Sequence, residues 1–136
     1  MELQLDAQST APDTAWIAIL QHVDASGAVT EVTAGYLRAS LRAVEETDSR
    51  PGAPVLPCRT FDAVPVGKLV QYRIPMVANA RRFPAGHRIQ LFLTSDDQNP
   101  ETPALLSFRH ASVGTISLNT ISSSSRLMLP VLAKTH

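Results

Sequence analysis

One stretch decides the fold: Trp16-Ile17-Ala18-Ile19-Leu20-Gln21-His22-Val23, which is nearly continuous apolar sequence. A run of this length, bounded by turn residues, predicts a central strand that is covered on both faces. The turn that follows is Asp24-Ala25-Ser26-Gly27, in which the glycine is free to adopt a positive φ. Residues 29–33 are expected to return as a short strand.

The segments around this run alternate apolar and polar residues, which is typical of half-buried strands. The alternation covers residues 3–7, 70–76 and 89–93, and a strong turn at 83–86 separates the last two. Residues 126–132 are a further expected strand. Because proline has no backbone N–H, Pro130 fits this strand only at the edge of a sheet or at a position that makes no backbone hydrogen bond. Several short strands with turns between them predict an all-β sandwich or barrel. We expect residues 16–23 and 89–93 to form its core.

Residues 37–44 fit two periods. Leu37, Leu41 and Val44 have the spacing of a helix face, whereas Leu37, Ala39 and Leu41 alternate as they would in a strand. The period alone does not decide, and we favour a strand because the surrounding segments are strands. Residues 47–57, with three prolines and a glycine after Arg50, and residues 96–103 are expected to be loops.

Length and composition fit one globular domain that binds neither nucleic acid nor membrane. The 136 residues suffice for a single domain, and an apolar fraction of 44% suits a packed core. Twelve basic and twelve acidic side chains cancel, so no net field attracts a phosphate backbone. The apolar runs fall short of the roughly 18 residues that a membrane span needs. The first residues lack the pattern of a signal peptide and Cys58 is the only cysteine, which together predict a cytoplasmic protein.

The sequence contains no motif for catalysis, a cofactor or a metal ion. Serine hydrolases carry their nucleophile in Gly-x-Ser-x-Gly, zinc hydrolases use His-Glu-x-x-His, and structural zinc sites use paired cysteines. None of these patterns occurs, and no glycine-rich phosphate loop is present. We therefore predict no catalytic residues, no cofactor and no metal, and a chain that is not an enzyme by itself.

The four histidines are scattered. His22 at the end of the apolar run is interpreted as a hydrogen-bonded structural residue, and His87 after the 83–86 turn as a structural cap. His110 could line a cleft, although a solvated loop position is favoured. His136 is the last residue and is expected to be frayed.

Three further polar features are interpreted as structural. Asp96, Asp97, Asn99 and Glu101 offer the oxygen ligands that calcium takes, but their spacing does not match the known calcium loop, so a solvated acidic loop is favoured. Cys58 lies between prolines with only Arg59 as a charged neighbour and is interpreted as an inert thiol. The serine run at 122–125 is expected to be a turn.

Four elements of the sequence, in order, resemble parts of one hydrolase family. They are Ala11-Pro12-Asp13-Thr14-Ala15-Trp16 with Val23-Asp24-Ala25-Ser26-Gly27, then Thr33-Ala34-Gly35-Tyr36-Leu37-Arg38-Ala39, then Phe83-Pro84-Ala85-Gly86-His87-Arg88-Ile89-Gln90-Leu91, and finally Ser125-Arg126-Leu127-Met128-Leu129-Pro130-Val131. The family is that of cocaine esterase and X-Pro dipeptidyl-peptidase (CocE/NonD). Its corresponding patterns are Pro-Asp-Thr-Asp with Val-Asp-x-x-Gly, Thr-Asp-Gly-x-Leu-Arg-Ala, Phe-x-x-Gly-His-Arg-Ile-Arg-Leu, and Pro-Ser-Arg-Leu-x-Leu-Pro-Val.

The resemblance implies a jelly-roll, galactose-binding-like β-sandwich over residues 1–136. In the family this domain follows an α/β-hydrolase domain that carries the catalytic Ser, Asp and His, and it helps to wall the substrate cleft. The catalytic domain is absent from this chain, so the implied partner is an α/β-hydrolase domain in the same or a separate polypeptide. Family substrates are esters, X-Pro peptides and β-lactam precursors.

The chain departs from the family pattern at several positions. Ala15 replaces the second aspartate of the first motif, and Ser124 stands where a histidine commonly occurs. The aromatic-rich loop after the strand at 89–93 is polar here. We expect this loop to face the partner domain through Ser95, Asp96, Asp97, Gln98 and Asn99.

Two alternative functions follow from the fold. Family members carry at least one more strand before residues 3–7, and a sandwich without it would expose a sheet edge unless the fold has adapted. A partner or a second copy of the chain would cover such an edge, so an oligomerisation module is one alternative. A stand-alone carbohydrate-binding module is the other, although only seven aromatic residues occur and most fall at expected core positions.

Overall fold

Seven strands make up most of the regular structure in the part of the chain that the structure describes. A computed structural model describes residues 1–98 and 110–132. The strands are β1 (Glu2–Ser9), β2 (Ala15–Val23), β3 (Val29–Arg38), β4 (Val70–Pro75), β5 (Arg88–Thr94), β6 (Asn119–Ile121) and β7 (Arg126–Met128). One turn of 3-10 helix, Ala39–Leu41, follows β3, and the described residues contain no α-helix. None of their helical structure is long and apolar enough to cross a membrane.

The first sheet is built around β1. β4 lies antiparallel on one side of β1, and both β6 and β7 lie antiparallel on the other side. β6 pairs with the end of β1 (Ala7 with Ile121), whereas β7 pairs with its beginning (Glu2 with Met128). The two short strands therefore follow one another along β1. The serine run at 122–125 forms the turn between them, as predicted, and Ser122 N–H donates to the Asp6 carbonyl at 2.8 Å.

The second sheet has the order β3-β2-β5, with both neighbours antiparallel to β2. The main core lies between the two sheets, because it joins Leu3, Leu5, Tyr72 and Ile74 of the first sheet to alternate residues of β2. The rings of Trp16 and Tyr72 meet across it with centroids 5.4 Å apart. Two packed antiparallel sheets confirm the predicted β-sandwich.

The opposite face of β2 is also buried. Ile17 and Ile19 form a second apolar cluster with Ala34, and Tyr36 and Phe92 pack against it. Because successive strand residues point to opposite faces, this cluster lies on the outer side of the second sheet. The prediction of a central strand covered on both faces is confirmed.

Gly35 is the position at which β3 approaches the end of β4 most closely. A Cβ atom there would lie 2.5 Å from the carbonyl oxygen of Pro75. Gly35 also forms an isolated antiparallel bridge with Met76, and Val77 N–H donates to the Ala34 carbonyl at 3.0 Å. Glycine is therefore required because any side chain would push the two sheets apart at this crossing.

Four sequence-based expectations were wrong in detail. The strand expected at 29–33 continues to Arg38, and the strand expected over 37–41 gives way at Ala39 to a 3-10 turn. The turn forms because Ala39 N–H donates to the Thr14 carbonyl at 2.8 Å. β7 ends at Met128, so Pro130 lies beyond it. β5 contributes to the core through Leu91 and Leu93, but Ile89 is 49% exposed because β5 pairs with β2 alone among the described strands.

Candidate functional site

Several loops that connect the two sheets meet at one end of the sandwich, which we call the loop end. It carries the β1–β2 connection at 10–14, the loop at 95–98 after β5, and the segment 110–118 that leads into β6. The hydroxyl groups of Thr14 and Ser117 lie 3.3 Å apart and join the first and last of these segments. The opposite end carries the turns at 24–28 and 84–87.

A cleft of about 280 Å³ opens at the loop end over the second sheet. Its walls are the beginning of β2 (residues 15–17), the end of β3 (residues 36–38) and the segment 110–113. The apolar lining residues include Trp16, Ile17 and Leu37, each at most 6% exposed, and Tyr36, Arg38 and His110 supply polar groups. Ligand clefts commonly combine apolar walls with a few polar groups in this way.

Asp97 fixes the position of His110 at the rim of the cleft. One carboxylate oxygen, Oδ2, lies 2.8 Å from His110 Nδ1, and the other, Oδ1, accepts the backbone N–H of His110 at 2.9 Å. The side-chain amide of Gln98 donates to the His110 carbonyl. Asp97 is only 4% exposed, so these bonds replace water as its hydrogen-bond partners. The loop at 95–98 therefore holds the segment at 110 in place.

Tyr36 supports the same histidine from the sheet. The two rings lie with centroids 4.1 Å apart and planes inclined by 35°. Burial raises the pKa of the Tyr36 hydroxyl, and the negative charges of Asp97 and Glu31 raise it further. The phenol is consequently neutral at physiological pH, when it can act as a hydrogen-bond donor at the cleft.

The residues predicted to contact a partner are divided between structure and surface. Ser95, Asp96 and Gln98 are exposed at the loop end, while Asp97 is buried and committed to His110. Asp96 is also used locally, because its Oδ1 accepts the Gln98 backbone N–H at 2.9 Å. Asn99 lies outside the described residues. Residues 95–98 therefore form a rim that the hydrogen bonds of Asp96 and Asp97 hold in place.

The acidic cluster considered for calcium is not assembled in the described part of the chain. Asp97 is engaged by His110, and Asn99 and Glu101 lie outside the described residues. No group of three or more His, Cys, Asp or Glu residues suited to a metal ion occurs in residues 1–98 and 110–132. Cys58 is exposed and adopts a positive φ of 51°. Its interpretation as an inert thiol stays a prediction.

His22 and His87 lie at the end opposite the cleft and are joined to each other. Arg81 Nε–H donates to His22 Nδ1 at 3.0 Å, so the proton of the neutral His22 ring resides on Nε2. His22 Nε2 lies 2.7 Å from His87 Nδ1, to which it donates. The ring of Phe83 packs on His22 with centroids 4.7 Å apart. His22 is 7% exposed, and its structural role is confirmed; His136 lies outside the described residues.

The protonation of His22 is disfavoured by its surroundings. Burial of the ring lowers the pKa of His22, and the charges of Arg81 and His87 lower it further, against a weaker opposing effect of Asp24. The neutral ring is the form that accepts from Arg81 and donates to His87. These contacts fasten the turn at 84–87 to β2.

Asp13, the aspartate of the first family-like motif, organises the wall of the cleft. Its Oδ1 accepts the backbone N–H groups of Thr14 and Ser40, each at 3.0 Å. Its Oδ2 accepts Arg38 Nε at 2.7 Å, and the Arg38 guanidinium lies 5.1 Å from the ring centre of Phe61. A single buried carboxylate thus joins the β1–β2 connection to the turn after β3.

A second concave surface lies on the outer face of the first sheet, away from the cleft. It is a polar groove of about 650 Å³ next to the pair formed by Glu2 and Arg73. The Glu2 side chain is fully buried; it accepts Arg73 Nε at 2.7 Å on Oε1 and the Gly52 N–H at 2.9 Å on Oε2. Burial raises the pKa of Glu2, but the Arg73 and Gly52 hydrogen bonds and the Arg73 charge outweigh it and leave the pKa below its usual value.

Sequence reasoning did not identify the pairing of Asp97 with His110, the role of Tyr36, or the pair of Glu2 with Arg73. Asp97 and His110 are thirteen residues apart and have no pattern of spacing that signals contact. The alternation around Glu2 even places it on the outer, polar face of β1. Only the tertiary structure brings these groups together.

Comparisons with known proteins agree with the fold. The model of a family described as the X-Pro dipeptidyl-peptidase C-terminal non-catalytic domain matches residues 1–105. The solved structure of a CocE/NonD family hydrolase from Staphylococcus aureus is similar with a TM-score of 0.72 and 17% sequence identity, covering 90% of this chain. The chain spans only 25% of that hydrolase. A search of curated proteins found no match.

Proposed function

We propose, on the premise that this chain belongs to the family of X-Pro dipeptidyl-peptidase C-terminal non-catalytic domains, that it packs on an α/β-hydrolase domain and shapes its substrate cleft. The observation that carries the proposal is the loop end, where an aspartate-held histidine borders a preformed cleft in a chain without a nucleophile motif. Such a cleft contributes contacts, while the reacting groups belong to the catalytic domain.

The geometry of the loop end supports a contact role. Side chains that contribute to a substrate cleft must keep their positions when the substrate arrives, because misplaced groups lose their effect. His110 is held by Asp97 on one side and by the Tyr36 ring on the other. The exposed residues Ser95, Asp96 and Gln98 stand beside it on the same loop. Together they are suited to complete one wall of a pocket in a neighbouring domain.

The proposal extends to the chemistry of the whole enzyme. It assigns a jelly-roll, galactose-binding-like connectivity to the sandwich and an ester or X-Pro peptide as the substrate of the assembled hydrolase. The apolar walls next to Trp16, Ile17 and Leu37 suit the apolar part of such a substrate. A cytoplasmic location, and a homodimer formed through an open sheet edge, remain part of the same proposal.

A carbohydrate-binding function finds less support. Sugar platforms present exposed aromatic rings, and Phe61 is the one aromatic side chain in the described residues that is more than half exposed, at 60%. The Arg38 guanidinium already lies over that ring. The polar groove beside Glu2 and Arg73 has no aromatic lining.

The experiment starts from the DNA that flanks the coding sequence in the source genome. We expect an adjoining reading frame that encodes an α/β-hydrolase domain with Gly-x-Ser-x-Gly. That domain is produced alone and together with this chain, and hydrolysis of a p-nitrophenyl ester and of an X-Pro p-nitroanilide is measured. We expect kcat/KM to rise when the chain is added, and the chain alone to be inactive. A catalytic domain with unchanged activity and no binding to the chain would contradict the proposal.

A pair of histidine variants tests the role of the loop end. His110→Ala should lower kcat/KM of the assembled hydrolase several-fold, chiefly through KM, because it removes a contact at the cleft rim. His87→Ala removes an imidazole at the opposite end of the sandwich and is the matched control, expected to leave the kinetics unchanged. If both variants lowered kcat/KM equally, the loss would reflect lower stability of the domain and not a lost contact at the cleft.

A further inference from the structure

We infer that the polar groove on the outer face of the first sheet binds a small hydroxylated carboxylate, through arginine side chains that have no acidic partner among the described residues. The groove has a volume of about 650 Å³, within the range of about 300–1,000 Å³ that is usual for small-molecule sites. It lies on the first sheet, whereas the cleft at the loop end lies over the second. The inference is therefore independent of the function proposed above.

Three side chains form one row across the outer face of the first sheet. Gln4 on β1 pairs with Arg73 on β4 on one side and with Arg126 on β7 on the other. Directly paired residues project from the same face of a sheet, and this face is the outer one because the neighbours of Gln4 in β1, Leu3 and Leu5, belong to the core. With neighbouring strands about 4.8 Å apart, the Cα atoms of the two arginines are separated by about 10 Å.

A third arginine reaches the groove from the connection between β3 and β4. The carbonyl oxygen of Arg50 accepts a hydrogen bond from Arg73 Nη2 at 3.2 Å, which places the Arg50 backbone beside the row. The backbones of Arg50 and Ala53 also exchange hydrogen bonds of 3.1 and 2.9 Å, so the loop is closed on itself at this point. Arg50 and Pro51 line the groove together with the row, and three guanidinium groups therefore border one concave surface.

Two of the three arginines keep their charge available. Arg73 is committed, because it bonds both oxygens of the buried Glu2 carboxylate, at 2.7 and 3.2 Å, and Glu46 Oε2 at 3.1 Å. The side chains of Arg50 and Arg126 make no ion pair or hydrogen bond with residues 1–98 and 110–132. Three arginines against two carboxylates leave the groove and its floor with one net positive charge, which suits a monoanion better than a phosphate dianion.

The amide side chains in the groove supply acceptors for hydroxyl groups. Gln4 Nε2 donates to Glu2 Oε1 at 3.3 Å, and Gln71 Nε2 donates to Asp6 Oδ1 at 3.1 Å. These bonds orient the two amides and leave their Oε1 atoms without a donor among the described residues. Asp6 itself does not line the groove, and it accepts a further hydrogen bond from Ser124 Oγ.

These donors and acceptors define the chemical class of the ligand. A planar guanidinium group binds a carboxylate with two parallel hydrogen bonds, and the amide oxygens accept hydrogen bonds from hydroxyl groups. No aromatic ring lines the groove, so a neutral sugar has no surface on which to stack. A ligand with both a carboxylate and hydroxyl groups uses every free polar group that the groove offers.

Titration of the whole nitrogen-15-labelled chain with sodium gluconate, followed by NMR, tests the inference. Gluconate has a carboxylate and several hydroxyl groups, whereas sorbitol lacks the carboxylate and hexanoate lacks the hydroxyl groups. We expect gluconate to shift the N–H signals of Gln4, Arg73 and Arg126 saturably, with a Kd on the order of 1 mM. Sorbitol and hexanoate should each bind at least about fivefold more weakly, because each lacks one of the two kinds of contact.

Two arginine substitutions locate the site. Arg126→Gln and Arg50→Gln should each raise the Kd of gluconate about threefold to tenfold, because each removes a charge-assisted hydrogen bond at a solvent-accessible position. Both side chains are exposed, so the variants should fold, which the dispersion of their NMR spectra verifies. Arg88→Gln is the matched control, because it removes an exposed strand arginine from the second sheet, and it should change the Kd by less than about twofold. Arg73 is kept because it neutralises the buried Glu2.

Several results would overturn the inference. Groove signals that gluconate leaves unchanged, or that sorbitol shifts equally, would show that the groove does not bind a carboxylate. Wild-type affinity in both groove variants, or an equal loss of affinity in Arg88→Gln, would show that the bound anion lies elsewhere or responds only to the total charge. Tighter binding of inorganic phosphate than of gluconate would show that the ligand class is wrong. None of these results affects the proposed function, which is tested with the catalytic domain.

Discussion

Replacing Gly35 with alanine should destabilise the sandwich where β3 meets the end of β4. The added Cβ would lie 2.5 Å from the Pro75 carbonyl oxygen, 3.0 Å from Met76 Cγ and 3.2 Å from Ile74 Cγ2. The nearest of these atoms belongs to the backbone, so a side-chain rotation cannot relieve the contact. The two strands must move apart instead, which also weakens the bridge between Gly35 and Met76.

The magnitude follows from two opposing effects. Overpacking of this kind costs about 1–3 kcal/mol, and a backbone obstacle places the cost in the upper part of that range. The lower entropy of the unfolded alanine chain returns about 0.4–1 kcal/mol. The free energy of unfolding should therefore fall by about 2 kcal/mol, which corresponds to a decrease in Tm of roughly 6–10 °C for a domain of this size.

Urea unfolding followed by Trp16 fluorescence measures this change, because Trp16 is the only tryptophan and is buried in the core. Gly27→Ala is the control: Gly27 has a φ of 91° but open space around it, so only backbone strain of about 1 kcal/mol is expected. Hydrogen exchange at the Val77 N–H should accelerate in Gly35→Ala only. A Gly35→Ala protein within about 0.5 kcal/mol of the wild type would refute the reasoning.

Three further predictions concern buried polar groups. Asp13→Ala should lower the free energy of unfolding by about 2–4 kcal/mol, measured in urea, because the Ser40 N–H loses its acceptor and Arg38 its partner. The pKa of Glu2 is lowered, so the charged carboxylate stabilises the fold above pH 4.5, and this stabilisation is lost as the pH falls through the pKa of the folded state. The Tm of Glu2→Gln should therefore change less with pH in this acidic range than the Tm of the wild type. The pKa of His22 is also lowered, so the folded state disfavours the charged ring and the free energy of unfolding should fall as the pH drops below 6.5. Thermal melts of a His22→Gln protein should lack this pH dependence.

The strands were predictable because their signal is local. Sequence patterns indicated six of the seven described strand positions, all but β6, and the apolar length of β2 indicated that both of its faces are covered. Alternation cannot tell how completely a face is covered, which is why Leu91 and Leu93 of β5 pack against the core as expected while Ile89 is half exposed. Whether one face of a strand is buried depends on strands and loops that are distant in the sequence.

The end of β3 shows what local patterns omit. Residues 39–41 alternate as a strand does, but Ala39 and Ser40 donate their N–H groups to the Thr14 carbonyl and the Asp13 carboxylate and form a turn. The candidate site has the same origin, since Asp97 meets His110 through a contact between loops. The family resemblance suggested that the loop at 95–99 faces a partner domain, and the structure adds that Asp97 bonds this loop to His110.

The pairing of β1 has a consequence for the order of events during synthesis. β1 leaves the ribosome before the other six strands, yet it pairs with β4, β6 and β7, which are synthesised later. At about 5–20 residues per second, the nascent chain carries an incompletely paired β1 for on the order of 10 s. Its apolar side chains Leu3 and Leu5 are available to chaperones during that time. A polypeptide terminated before residue 119 should keep them accessible and become a substrate for proteolysis.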